Sequence, residues 1–109
     1  MNSDPQSPKP AAAMPLLDLE KLVFALGNFS RWKMIRELAD GDTRTTSELA
    51  EAGGCSYDSA IKHLQLLRET GMVMQGRGSL YELPPQFLPT PGERVVDFGH
   101  CLLRFNVGK

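Results

Sequence analysis

Apolar residues recur at helical spacing in four successive segments of the chain. The first segment, 16–26, has Asp18 and Glu20 in its first turn, where the helix dipole favours acidic side chains. The second segment, 31–39, follows Ser30, which is a preferred N-cap residue. The pattern therefore predicts two helices, and the first has more apolar surface than a single neighbour covers.

The next two segments form the outline of a helix-turn-helix. Thr45 and Glu48 have the spacing of a capping box and open a third helix. A glycine pair then makes a tight turn, and Ser56 caps a fourth helix that Gly71 ends. The buried stripe of the fourth helix is predicted to comprise Ala60, Ile61, Leu64 and Leu67.

Two short strand candidates, 72–75 and 80–83, follow the fourth helix. The four residues between them include two glycines, which predicts a hairpin. Prolines then interrupt the sheet, and Thr90 with Pro91 has the start signals of a last helix. The predicted fold is mainly α with a small β-hairpin wing. It is a winged helix-turn-helix in the order helix, helix, helix, helix, hairpin, helix.

The first and last predicted helices expose more apolar surface than one small core absorbs. Unpaired patches of this kind mark interfaces, so we expect a homodimer through the terminal helices. The predicted interface residues are Leu16, Leu19, Val23, Phe98, Leu102 and Phe105.

Length and composition fit one domain, 16–106, preceded by a proline-rich leader, 1–15, that is predicted to be disordered. The leader lacks the apolar region of a secretory signal, and no apolar run approaches the roughly 18 residues of a membrane span. Cys55 and Cys101 have no paired spacing, which favours reduced thiols in a cytoplasm. The net charge of −1 argues against a protein that coats nucleic acid non-specifically, although a compact DNA reader needs only a local basic face.

The chain resembles the ArsR-type winged-helix repressors of bacteria over roughly 25–83, in four segments that occur in the family's order: ALGNFSRWKMIREL, TTSELAEAGGCS, AIKHLQLLRETGMV and GRGSLYEL. The third segment is the most specific, because H-L-x-x-L-R-E-x-G-[ML]-V after a serine-capped turn recurs in that family. The resemblance implies a homodimer, a recognition helix in the major groove, a wing against the DNA backbone and repression relieved by a signal. Thr45 and Ser47 stand where metal-sensing members place cysteines, so no soft-metal site is expected there.

The first two turns of the predicted fourth helix expose polar side chains, and residues in this position of a recognition helix reach base edges. Lys62 can bind guanine or a phosphate, and His63 can donate to a phosphate. Asp58 can accept from cytosine N4 or simply stabilise the helix start. Arg77, at the hairpin tip, can enter the minor groove or pair with a phosphate. The predicted DNA-binding residues are Ser56, Tyr57, Asp58, Ser59, Lys62, His63 and Arg77, and the alternative is an ordinary solvated surface.

Basic residues of the second helix either meet phosphates or are solvated; they are Arg31, Lys33 and Arg36. Asp97 and His100 are three residues apart in the predicted last helix, so two copies could supply four zinc ligands. A lone histidine is more often a packing residue, and we expect neither a metal nor another cofactor. Cys55 is either a reactive thiol near a helix N-terminus or a small turn residue.

Neither histidine has a nucleophile and an acid nearby in sequence, and no phosphate-binding glycine loop is present, so an enzyme is not expected. The sequence predicts a homodimeric, sequence-specific DNA-binding transcription regulator, most simply a repressor that binds an inverted-repeat operator on double-stranded DNA. The alternative is a winged-helix module that binds proteins without specific DNA binding. The near-neutral charge and the acidic Asp58 favour that alternative.

Overall fold

The computed structural model describes residues 17–90 and 92–105. Within these residues the chain forms four α-helices followed by two antiparallel hairpins. The predicted disordered leader and the predicted interface residue Leu16 lie outside the described residues. The elements are α1 (Leu19–Leu26), α2 (Phe29–Leu38), α3 (Thr46–Gly53), α4 (Tyr57–Thr70), β1 (Met74–Gln75), β2 (Tyr81–Glu82), β3 (Val95–Asp97) and β4 (Leu102–Arg104).

Side-chain caps determine where the first two helices begin. The Asp18 carboxylate accepts from the backbone N–H three residues later at 3.1 Å, and the Asn28 side chain does the same for α2 at 3.0 Å. Because Asn28 takes the cap position, α2 begins two residues earlier than predicted and Ser30 is not its N-cap. The Ser30 hydroxyl instead donates to the Gly53 carbonyl at 2.8 Å, which joins α2 to the end of α3.

The predicted capping box at the start of α3 is confirmed. The Glu48 N–H donates to the Thr45 hydroxyl at 3.1 Å, and the Glu48 carboxylate accepts from the Thr45 N–H at 2.8 Å. The helix ends at Gly53, and Gly54 adopts φ of +68° to turn the chain toward α4. A Cβ at Gly53 would lie 3.0 Å from the Met34 Cε and 3.2 Å from a backbone carbonyl of α2. The missing side chain therefore allows the two helices to approach closely.

One apolar core joins the four helices and both hairpins. The largest fully buried side chains are Leu22, Met34, Ile35, Leu38, Leu49, Leu64, Leu67, Met72, Leu83, Val96 and Phe98. Three of the four predicted core positions of α4 are buried, whereas Ile61 is 42% exposed. Ile61 lies at the edge of the buried stripe, where α4 faces the first hairpin across a groove.

β1 and β2 form the predicted hairpin but are shorter than predicted, with Gln75 opposite Tyr81. A backbone bridge ties this hairpin to the loop before α3, because Arg44 and Tyr81 exchange N–H···O bonds of 2.9 and 2.8 Å. The Arg44 guanidinium also donates to Asp40 at 2.7 Å and to Glu37 at 3.1 Å. The mainly helical layout, with α3 and α4 followed by this hairpin, is compatible with a helix-turn-helix and a wing.

The predicted last helix is wrong, because the described part of that segment forms a second hairpin from β3 and β4. Val96 pairs with Leu103, and the Phe98 N–H donates to the Cys101 carbonyl at 2.9 Å across a two-residue turn. Gly99 occupies the first turn position with φ of +95°, which is the geometry of a type II′ hairpin turn. This turn reverses the chain where a helix would have to continue.

The hairpin also corrects the predicted dimer interface. Phe98 is 1% exposed, and its ring centroid lies 5.0 Å from that of Phe87, so Phe98 belongs to the core. Phe105 is half-buried, with its ring centroid 5.0 Å from that of Trp32. Of the predicted interface residues in this hairpin, only Leu102 is largely exposed, at 51%.

No helix among residues 17–90 and 92–105 is long and apolar enough to cross a membrane.

Candidate nucleic-acid interface

Local capping positions α4 relative to the turn before it. The Ser56 hydroxyl accepts from the Ser59 N–H at 3.1 Å, so the predicted N-cap is confirmed. Asp58 lies in the first turn, where a carboxylate is stabilised by the helix dipole. Gly71 ends the helix in a left-handed conformation with φ of +86°. Ser56 therefore has a structural function that it retains whether or not it also contacts a ligand.

The exposed face of α4 lies opposite its buried stripe. Each member lies three or four residues from at least one other member, which places them on one side of a helix. They are Asp58, Ile61, Lys62, Gln65, Arg68 and Glu69. Four of them were not among the predicted DNA-binding residues: Ile61, Gln65, Arg68 and Glu69. The spacing of four from Tyr57 to Ile61 and Gln65 was the available signal in the sequence.

A groove of about 600 Å³ separates this face of α4 from the first hairpin. Its lining residues are Ile61, Gln65, Arg68, Glu69, Val73, Met74 and Tyr81. The groove mixes apolar and charged side chains along an open surface. Such a surface is suited to contact with the edge of a large polar ligand, and less suited to enclosure of a small molecule.

Arg77 lies at the tip of the hairpin and is exposed. The Gly76 N–H donates to the Leu80 carbonyl at 2.7 Å, which closes the tip, and Gly78 and Ser79 both adopt left-handed φ values near +65°. Among the residues that the structure describes, neither Arg77 nor Lys62 forms an ion pair. Both cations are therefore available to pair with phosphates.

His63 lies on the other flank of α4, toward α1 and α2, although it is adjacent to Lys62 in sequence. Its Nδ1 accepts from the Arg31 guanidinium at 3.1 Å, which leaves the imidazole neutral with its proton on Nε2. Burial, and then the charge of Arg31, lower the pKa of His63. Arg31 also donates to the Ala25 carbonyl at 2.8 Å and to the Phe24 carbonyl at 3.3 Å. Arg31 and His63 thus link the end of α1 to α4.

The other predicted DNA-binding residues of α4 lie either on its outward side or on the flank toward α1 and α2. Tyr57 is 53% exposed and lies one turn before Ile61. Ser59 is half-buried and lies one turn before His63, on the flank toward α1 and α2. The structure therefore brings Tyr57, Asp58 and Lys62 to the outward side of α4, and it separates Ser59 and His63 from them.

The basic residues of α2 each lie over an aromatic ring. The pairs, with the distance from the cation to the ring centroid, are Arg31 over Phe24 at 5.4 Å, Lys33 over Phe29 at 4.6 Å and Arg36 over Trp32 at 5.4 Å. At these distances each cation is attracted to the face of its ring. The three side chains therefore pack against aromatic residues of the domain's own surface.

Asp97 and His100 do not share a helix face, because the helix predicted for them is absent from the described residues. The Asp97 carboxylate accepts from the Gly99 N–H at 2.9 Å, and His100 is exposed in the hairpin turn. Residues 17–90 and 92–105 contain no group of three or more side chains that could hold a metal ion. The prediction that Asp97 and His100 share one helix face, which suggested a zinc site, is therefore wrong.

Both cysteines are free and half-buried. Cys55 lies in the turn between α3 and α4 and packs against the core. Burial, and then the nearby Asp97 carboxylate, raise the pKa of the Cys101 thiol. A raised pKa lowers the fraction of thiolate, which makes Cys101 less reactive than an ordinary cysteine.

A comparison with models of known protein families found no match, and a comparison with curated protein sequences found none either.

Proposed function

We propose that this protein is a sequence-specific DNA-binding regulator of the winged-helix type, similar to the ArsR-type repressors, and that it acts as a homodimer on an inverted repeat. The observation that carries the proposal is the outward face of α4. Lys62 and Gln65 project from that face opposite the core, and the exposed Arg77 lies on the adjoining hairpin. A helix with hydrogen-bonding side chains fits the major groove, while a cation on the wing fits a phosphate or the minor groove.

The charges on this surface favour specific over non-specific binding. The basic residues Lys62, Arg68 and Arg77 exceed the acidic residues Asp58 and Glu69 by one. Affinity from phosphates alone is therefore small, and contacts with base edges have to supply much of the discrimination. Binding by two protomers compensates for the modest affinity of each.

Selection from random duplex DNA tests this function. We expect an inverted repeat with half-sites about one helical turn apart. Lys62→Ala and Arg77→Ala should each weaken binding, and each lost phosphate contact should reduce the salt slope by about 0.9. Lys21→Ala, on the exposed side of α1, is the matched control and should leave affinity unchanged. Failure to enrich any duplex would contradict the proposal.

The proposed dimer interface consists of the second hairpin and the side of α1 that carries Leu19 and Val23, which is opposite Lys21. Val23 is 61% exposed, and Leu19 lies one turn before it on the same side of α1. Leu102 is the exposed apolar residue of β4. Val23→Glu and Leu102→Glu should each lower the dimer fraction in light scattering at micromolar concentration. Met74→Glu makes the same change at an exposed position on the wing and should leave assembly unchanged.

A second function, binding of a protein partner, is favoured by acidic residues on the neighbouring helix. Glu48 and Glu51 are exposed on α3, and Asp58 begins α4. Carboxylates at these positions repel phosphates. DNA affinity no better than about 10⁻⁴ to 10⁻⁶ M at physiological salt, without sequence preference, would support this second function over the first.

A further inference from the structure

Ile61 is an exposed apolar residue surrounded by hydrogen-bonding side chains. It lies in the second turn of α4, one turn after Tyr57 and one turn before Gln65, and it is adjacent to Lys62. Its side chain faces the groove between α4 and the first hairpin. Ile61 is 42% exposed and is not part of the buried core cluster, so part of its apolar surface is uncovered.

The chemistry of the DNA major groove offers Ile61 one apolar partner. Of the four bases, only thymine presents a methyl group there, at C5, while adenine presents N6 and N7 to a glutamine amide. Residues four apart on a helix lie about 6 Å apart, and successive base pairs are separated by about 3.4 Å. Ile61 and Gln65 therefore reach either the same base pair or two base pairs that are at most two steps apart.

We propose that Ile61 determines sequence specificity by packing against a thymine methyl group in each half-site. The inference rests on the proposed DNA-binding function and specifies which base that function selects. Lys62, Gln65 and Arg68 lie next to Ile61 on α4, and Val73, Met74 and Tyr81 line the hairpin side of the same groove.

Replacement of thymine by deoxyuridine tests the proposal, because it removes only the 5-methyl group. In the duplex recovered by random selection, each thymine is replaced in turn in both half-sites. At one position we expect the wild-type affinity to fall about fourfold per methyl group, hence about sixteenfold for the symmetric pair. The Ile61→Ala variant should bind both duplexes equally, and Ile61→Val should keep most of the discrimination.

Matched controls separate a lost contact from a damaged fold. Met74→Ala removes apolar surface from the hairpin side of the groove and should retain the response to deoxyuridine. Thermal unfolding should show Ile61→Ala folded, since Ile61 is 42% exposed and is not part of the buried core cluster. Two results overturn this inference alone. One is an enriched duplex whose affinity does not change when any thymine methyl group is removed. The other is an Ile61→Ala variant whose affinity still falls when thymine is replaced by deoxyuridine. Failure to enrich any duplex overturns it together with the proposed function.

Discussion

Replacing Phe98 with alanine is expected to lower the free energy of unfolding by about 3–5 kcal/mol. Phe98 is 1% exposed and packs edge-on against Phe87. Complete burial of about 150–250 Å² of aromatic side chain at about 25 cal/mol per Å² corresponds to about 4–6 kcal/mol, of which alanine retains a part. For a domain whose total stability is about 5–15 kcal/mol, the loss is large.

Urea unfolding followed by far-ultraviolet circular dichroism measures this loss. Phe98→Leu keeps most of the apolar volume and should cost less than Phe98→Ala, so it provides a folded variant if alanine unfolds the domain. Met74→Ala is the matched control, because it shortens an apolar side chain that is 41% exposed and lies outside the proposed dimer interface. The control should change the free energy of unfolding by no more than about 0.5 kcal/mol.

The outcome distinguishes a core residue from an interface residue. A contribution made through a dimer interface depends on protomer concentration, whereas a contribution made within one domain does not. Loss of self-association in Phe98→Ala at an unchanged urea midpoint would refute the argument. A loss of stability that disappears at high protein concentration would refute it as well.

Three further predictions follow from particular contacts. Thr45→Ala should lower the free energy of unfolding by about 0.5–2 kcal/mol in urea, whereas Ser47→Ala, exposed in the same turn, should not; equal midpoints would contradict the capping box. Gly53→Ala should lower the free energy of unfolding by about 1–3 kcal/mol in the same assay, because the added methyl group meets α2. Alanine has the higher helix propensity, so a higher free energy of unfolding would contradict the close packing against α2. Burial and a neighbouring guanidinium lower the pKa of His63, so the folded state favours neutral imidazole. The free energy of unfolding should therefore decline as pH falls below the ordinary histidine pKa of about 6.5. His63→Gln should flatten this decline, whereas His100→Gln should not. Equal pH slopes in the wild type and both variants would contradict this prediction.

The C-terminal segment shows why local patterns did not determine all of the fold. Its apolar residues fit helical spacing, and Thr90 and Pro91 are genuine helix-start signals. The same stretch also contains Gly99-His100 between two apolar runs, which is a two-residue hairpin signal. The two patterns compete locally. The hairpin packs Phe98 against Phe87 in the core. Local sequence patterns do not predict that contact.

The sequence by itself determined α1 to α4 and the first hairpin, because caps, glycine stops and apolar spacing act within a few residues of each other. Only the tertiary structure decided which side of α4 is free. Lys62 and His63 are neighbours in sequence but differ by about 100° around the helix. Arg31, distant in sequence, binds His63 and leaves Lys62 outward. In the same way, the gap between α4 and the hairpin exposes Ile61, since burial depends on what packs against a residue as well as on its own polarity.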